Sequence, residues 1–160
     1  MTDDDAIVRT GLEVALAGGR GGLAGYRRVG LITNQTGVDR GLRSGIDRLH
    51  EADGIELTAL FGPEHGVRGE AQAGVEVGAG VDRRTGLPVH SLYGETQRPT
   101  GEMLAGLEAL VFDIQDVGVR YATYISTLFP ASLPLDRAQP GPGLLTGTRP
   151  LTTVARRRAP

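Results

Sequence analysis

Apolar residues gather in four short runs, at 29–33, 55–61, 88–92 and 109–114. Between them the apolar positions recur at helical spacing. Short continuous apolar runs predict strands covered on both faces. Ile7, Leu12, Val14, Ala15 and Leu16 place an apolar face on a helix over 6–17, opened by Thr2 to Asp5 and stopped by Gly18-Gly19. A second helix is predicted over 42–52 with Ile46 and Leu49 inward. A third starts at Thr100 with Met103, Leu104 and Leu107 inward, and a fourth begins at Val119. Strands alternating with helices predict an α/β fold of parallel βαβ units with right-handed crossovers.

The pattern changes character twice. Residues 66–86 are Gly-rich and show no period, and a loop of that length inside a domain is usually functional. From Phe129 the strand and helix periods disappear. Six of the nine prolines fall between Pro130 and Pro160, and Pro130 stands where the last helix should lengthen. The chain is therefore expected to divide into an α/β part, 1–128, and an irregular, disordered Pro/Arg-rich tail, 129–160. The tail uses few residue types, mostly those with GC-rich codons, which is the pattern of a frameshifted end.

Composition narrows the function classes. Net charge is −2, so no overall field attracts nucleic acid or an anionic surface. There is no Cys, which excludes a disulfide framework and Cys-ligated zinc. All 17 residues counted as Lys or Arg are Arg, so a Walker A lysine is excluded. The acidic start, Met1-Thr2-Asp3-Asp4-Asp5, lacks the basic and apolar regions of a signal peptide, which gives a cytoplasmic expectation. No stretch has the ~18 apolar residues of a membrane span. Gly19-Arg20-Gly21-Gly22-Leu23-Ala24 matches a dinucleotide fingerprint in letters but follows a helix and precedes a strand, the reverse of what the fingerprint requires. His50, His65 and His90 show no metal-ligand spacing, and no metal or cofactor is expected.

In a parallel sheet, ligands sit beyond the carboxyl ends of the strands. Four loops qualify, and they hold most of the unusual polar residues. In Gly62-Pro63-Glu64-His65-Gly66-Val67-Arg68-Gly69, an irregular backbone carries a carboxylate, an imidazole and a guanidinium. Such a group suits general acid–base work; equally, Glu64 and Arg68 would pair to stiffen the loop. In Asp113-Ile114-Gln115-Asp116-Val117-Gly118-Val119-Arg120-Tyr121, polar groups cluster after the most apolar strand. Asp116 also suits a helix N-cap, and Arg120 a surface ion pair. Asn34-Gln35-Thr36-Gly37 offers amides and a hydroxyl to sugar hydroxyls or an acetamido group, or forms an ordinary turn. Tyr93-Gly94-Glu95 reads similarly.

Three stretches in order carry a family resemblance: Gly30-Leu31-Ile32-Thr33-Asn34-Gln35-Thr36-Gly37, Pro63-Glu64-His65-Gly66 with Arg68-Gly69, and Thr85-Gly86-Leu87-Pro88-Val89-His90-Ser91-Leu92-Tyr93-Gly94. The series continues through Arg98-Pro99-Thr100 and Phe112-Asp113-Ile114-Gln115-Asp116-Val117-Gly118 to Arg120-Tyr121 and Tyr124-Ile125-Ser126-Thr127. This resembles the NamZ-type exo-β-N-acetylmuramidases, long catalogued as a domain of unknown function. The resemblance implies a Rossmann-like, mostly parallel sheet, here about four strands and incomplete, with a site in a cleft against a C-terminal domain. It implies release of N-acetylmuramic acid from peptidoglycan fragments, in relatives that often act outside the membrane.

Glu64 matches the loop glutamate assigned a catalytic role in that family, which makes it the expected general acid. Asp116 is the expected second carboxylate, with Asp113 structural. Asn34, His65, Arg68, Gln115, Arg120 and Tyr121 are expected to bind substrate, Arg68 or Arg120 taking the lactyl carboxylate. As written, the chain lacks the family's second domain and is expected to be inactive or nearly so. Two other readings fit the same residues: a muropeptide- or sugar-binding module without catalysis, and a metal-assisted hydrolase using Glu64, His65, Asp113 and Asp116.

Overall fold

A computed structural model describes residues 9–18, 22–69, 80–94, 96–115, 124, 126–127, 143–146 and 152–155. The four apolar runs are all strands: β1 (Arg28–Thr33), β2 (Glu56–Gly62), β4 (Pro88–Ser91) and β5 (Ala109–Asp113). A two-residue strand, β3 (Gly80–Val81), precedes β4. β4, β2, β1 and β5 lie side by side in that order, and every neighbouring pair is parallel. The chain steps outward from β1 to β2 to β4 and then returns to the other side of β1 with β5. This reversal is the Rossmann arrangement and places a crevice between the carboxyl ends of β1 and β5. β3 extends the opposite edge as an antiparallel partner of β4.

The sheet is covered on both sides, which explains why its central strands read as unbroken apolar runs. β5 is buried at every position and β1 at all but its first. Val29, Leu31, Ala109 and Val111 face the cluster containing Leu12, Ile46 and Leu49. Ile32, Leu110 and Phe112 face the opposite cluster, with Phe61, Leu104 and Leu107. Alternation along β5 carries Asp113 to the same side as Ala109 and Val111.

The helices are shorter than their periodicity predicts, and side-chain hydrogen bonds explain where they start. α1 is confined to Gly11–Leu16 because Thr10 takes an extended conformation and closes a capping box with Glu13. Leu12 and Ala15 are buried as expected, whereas Val14, assigned above to the apolar face, is 42% exposed. α2 spans Gly45–His50 and not 42–52. Ahead of it, the buried Asp39 carboxylate accepts the N–H groups of Gly41 and Arg43 at 2.8 and 2.9 Å. Leu42 is turned to φ 61 within that loop, and Ser44 caps the helix by accepting from Ile46 N. The helix expected from Thr100 is a series of turns over 101–106, ended by Gly106 at φ 76, with Leu104 and Leu107 buried as predicted. Of the fourth predicted helix, Tyr124, Ser126 and Thr127 are helical, and the rest lies outside the described residues.

Two short strands stand where the pattern offers no period: β6 (Gly143–Thr146) and β7 (Thr152–Ala155). β6 runs parallel to the start of β5, and β7 antiparallel to its end and to β6. The edge of β5 supplies unpaired backbone groups, and Leu144-Leu145 and Thr152-Thr153-Val154 have suitable β propensity. Among the described residues no helix is long and apolar enough to cross a membrane.

Candidate active site

At the ends of β1 and β5, backbone and neutral side chains form one unit. Thr33 Oγ1 donates to the carbonyl of Asp113 at 2.8 Å, adding a side-chain bond at the last registered pair of the two strands. Asn34 Oδ1 accepts from both the N–H and the hydroxyl of Thr36, at 2.9 and 2.6 Å. Thr36 Oγ1 in turn accepts from Gln115 N at 2.9 Å. One hydroxyl therefore joins the two loops. The backbone N–H bonded to Oδ1 fixes the amide orientation of Asn34, and Nδ2 is a buried donor with no hydrogen-bond partner among the described residues. Leaving such a donor unsatisfied costs about 1–3 kcal/mol.

The turn 34–37 closes under Asp113. A Cβ on Gly37 would overlap Thr33 Oγ1 and stand 2.5 Å from the Asp113 carbonyl. A Cβ on Gly45 would stand 2.9 Å from Asp113 Oδ2. The buried Asp113 carboxylate therefore sits in a slot left by two missing side chains, an arrangement suited to holding the loops.

The ends of β2 and β4 are built differently. Beyond Gly62, Pro63 to Gly66 form a turn closed by Gly66 N to Pro63 O at 3.1 Å. His65 occupies its third position at φ 76, a left-handed conformation usually left to Gly. A strained residue of this kind persists only where its surroundings hold it. Val67, 2% exposed, anchors the loop in the core. Glu64 and His65 are half-buried at the crest of the turn.

Arg68 then braces the loop. Its Nε and Nη2 meet both Asp82 oxygens at 2.6 and 2.9 Å, and Nη2 also reaches Asp47 on α2 at 3.1 Å. Asp82 additionally accepts from the N–H and hydroxyl of Thr85, at 2.9 and 2.6 Å. Asp47 pairs with Arg84 at 3.2 Å. Both carboxylates are buried. The Arg68 hydrogen bond holds the Asp82 carboxyl well below the usual carboxylate range against the opposing effect of burial, and the same bond raises the Arg68 guanidinium further. The loop that carries Glu64 is thus tied to two segments distant in sequence.

Across from the Glu64 turn lies Tyr93. Its hydroxyl is hydrogen-bonded to Glu64, and the Glu64 charge, burial and that bond hold it above the ordinary phenol range. Burial holds His90, stacked obliquely on Phe61 at 5.2 Å, below the ordinary imidazole range.

A glutamate on a strained turn beyond β2, next to a Thr-centred junction of β1 and β5, matches the order of motifs noted above. The match to the N-terminal region of the exo-β-N-acetylmuramidase NamZ covers residues 29–133. The chain belongs to the NamZ family. Over 121 residues it is 56% identical to the peptidoglycan β-N-acetylmuramidase NamZ of Bacillus subtilis strain 168, a stretch that is 76% of this chain and 29% of that protein. The crystal structure of a DUF1343-family protein of Bacteroides fragilis NCTC 9343 superposes with a TM-score of 0.66 at 54% identity, over 78% of this chain and 30% of that one. A second protein of the same organism and family gives 0.52 at 31% identity, over 69% and 26%. The chain spans less than a third of the length of these relatives.

Of the residues singled out from sequence, the NamZ-type fold joins Asn34 to Gln115 through Thr36 and sets Glu64, His65 and Arg68 on one loop. Asp116, Arg120 and Tyr121 lie outside the described residues. Sequence reasoning passed over Asp47 and Asp82 and did not connect Tyr93 with Glu64. Asp82-Arg83-Arg84-Thr85-Gly86 carries a turn signature, with Asp bonding back to a residue further on. Nothing local, however, points from Asp82 to Arg68. Among the described residues no group of three or more His, Asp or Glu side chains converges as a metal site.

Proposed function

We propose that this chain supplies the Rossmann-like side of an exo-β-N-acetylmuramidase site acting on peptidoglycan fragments, with Glu64 as the general acid. The observation that carries this reading is the placement of Glu64. In a chain of the NamZ family it sits on a turn held in a costly conformation, at the end of the sheet where α/β folds bind ligands. Glu64 protonates the glycosidic oxygen, and Asp116 is the second carboxylate such hydrolysis uses. An acetamido oxygen of the sugar would satisfy Asn34 Nδ2. His65, Gln115 and Tyr121 are assigned to binding the sugar. The Asp82 and Asp47 carboxylates engage the Arg68 fork, so Arg120 is assigned the lactyl carboxylate and Arg68 the support of the loop.

The test replaces the matching segment of the Bacillus subtilis relative with residues 29–133 of this chain and assays a chromogenic N-acetyl-β-muramide. Muramic acid release is expected, with Glu64→Gln lowering kcat by roughly 100-fold or more. A folded graft without turnover, or Glu64→Gln with near-normal turnover, would overturn the assignment. Saturable binding of the glycoside by such a graft without turnover would instead identify a sugar-binding module.

A further inference from the structure

Glu64 and Tyr93 hold matching positions just beyond the ends of neighbouring strands. Parallel pairing sets Gly62 of β2 opposite Ser91 of β4, and each side chain lies two residues beyond that pair. Leu92 N donates to Gly62 O at 2.8 Å, so the ladder continues up to the start of both loops. Ser91 then fixes Tyr93 from below: its Oγ accepts from Tyr93 N at 3.1 Å and donates to Tyr93 O at 2.9 Å. Tyr93 is half-buried, and its hydroxyl meets the Glu64 carboxylate. The strained turn on one strand and the serine clamp on the other bring the two polar side chains together.

Resting on the glycosidase reading above, we propose that Tyr93 is the positioning residue for Glu64, its hydroxyl donating to the carboxylate. In hydrolysis the glycosidic C1–O bond breaks with its electron pair on the leaving oxygen, and that oxygen takes the Glu64 proton. Water supplies the hydroxyl to C1, and its remaining proton restores Glu64. The Tyr93 hydroxyl bears on the step by fixing the carboxyl and stabilising the negative charge left on Glu64 when its proton departs. A hydrogen bond to the charged form favours that form. Tyr93 itself touches no reacting atom. Glu64 is the charged group acting on it, and His65 on the turn and His90 on β4 are the neighbouring titratable side chains.

Two measurements test this. In the full 160-residue chain labelled with 13C-tyrosine, the Tyr93 Cζ resonance is assigned by its loss in Tyr93→Phe and followed through alkaline pH. Glu64→Gln is expected to bring its titration midpoint down toward the ordinary phenol value of about 10. An unchanged midpoint would overturn the pairing. In the graft, Tyr93→Phe is expected to lower kcat roughly 10-fold with little change in KM. It should also move the basic limb of the pH–rate profile to higher pH, since Glu64 loses a donor to its charged form. A purely structural tyrosine would leave that limb in place. Parental kcat and pH profile in Tyr93→Phe, with Glu64→Gln inactive, would overturn the positioning role while the glycosidase reading stands. A folded graft with no activity overturns both, and the tyrosine titration then decides separately whether the pair exists.

Discussion

At the ends of β1 and β5 the loops meet through hydroxyl and amide hydrogen bonds and close packing: Thr33 on a carbonyl, Thr36 between Asn34 and Gln115, and glycine backbones against the buried Asp113. At the ends of β2 and β4 the loops meet through charges, with Arg68 held by Asp82 and Asp47 and Tyr93 by Glu64. The first junction depends on close approach and tolerates almost no added volume. The second depends on protonation state and tolerates changes in shape better than changes in charge. The proposed function uses both: close packing for recognition on one side and proton exchange on the other.

The comparison is broken most severely by removing the charge that the second junction shares. Arg68→Ala leaves Asp82 and Asp47 buried without their common cation and is expected to cost about 3–5 kcal/mol, measured by urea unfolding. Arg68→Lys should recover only part of this, because an ammonium lacks the planar fork. The first junction is challenged next by Gly37→Ala. The new methyl would collide with the Thr33 hydroxyl and with the Asp113 backbone carbonyl, at an expected cost of about 2–3 kcal/mol.

Acid probes the second junction directly. Asp82 has a folded pKa below its unfolded value, so its contribution is complete above about pH 4–5 and fades as pH falls toward the folded value. The chain should therefore lose stability as pH falls below about 4, and Asp82→Asn should flatten that limb while leaving the slope near neutrality unchanged. The smallest effect is outside both junctions. Leu42, 80% exposed at φ 61, gains nothing visible from its side chain, and Leu42→Gly is expected to stabilise by about 1 kcal/mol in the same unfolding assay.

The strands were legible because central parallel strands are apolar on both faces, and 109–114 and 29–33 show this without reference to anything distant. Helix starts were not, because Asp39 and Thr10 compete for backbone N–H groups and win over a periodicity that continues through them. The site was legible as a set of loops, since carboxyl ends of strands are a topological quantity. Its wiring was not: Arg68 and Asp82 are 14 residues apart, and Thr36 and Gln115 are 79 apart. Only the strand order brings such pairs together, and no local pattern encodes it.

The pairing of Gly62 with Ser91 acts as a ruler for the edge that carries Glu64 and Tyr93. Each residue of a strand advances the chain about 3.3 Å and turns its side chain to the other face. One residue inserted after Ser91 would move Tyr93 by more than the reach of a hydrogen bond, while one deleted would turn it away. Among homologues and in directed evolution, this stretch should therefore accept exchanges of residue type far more readily than changes of length. Gaps in an alignment between Gly62 and Glu64, or between Ser91 and Tyr93, would mark proteins that have given up this pairing.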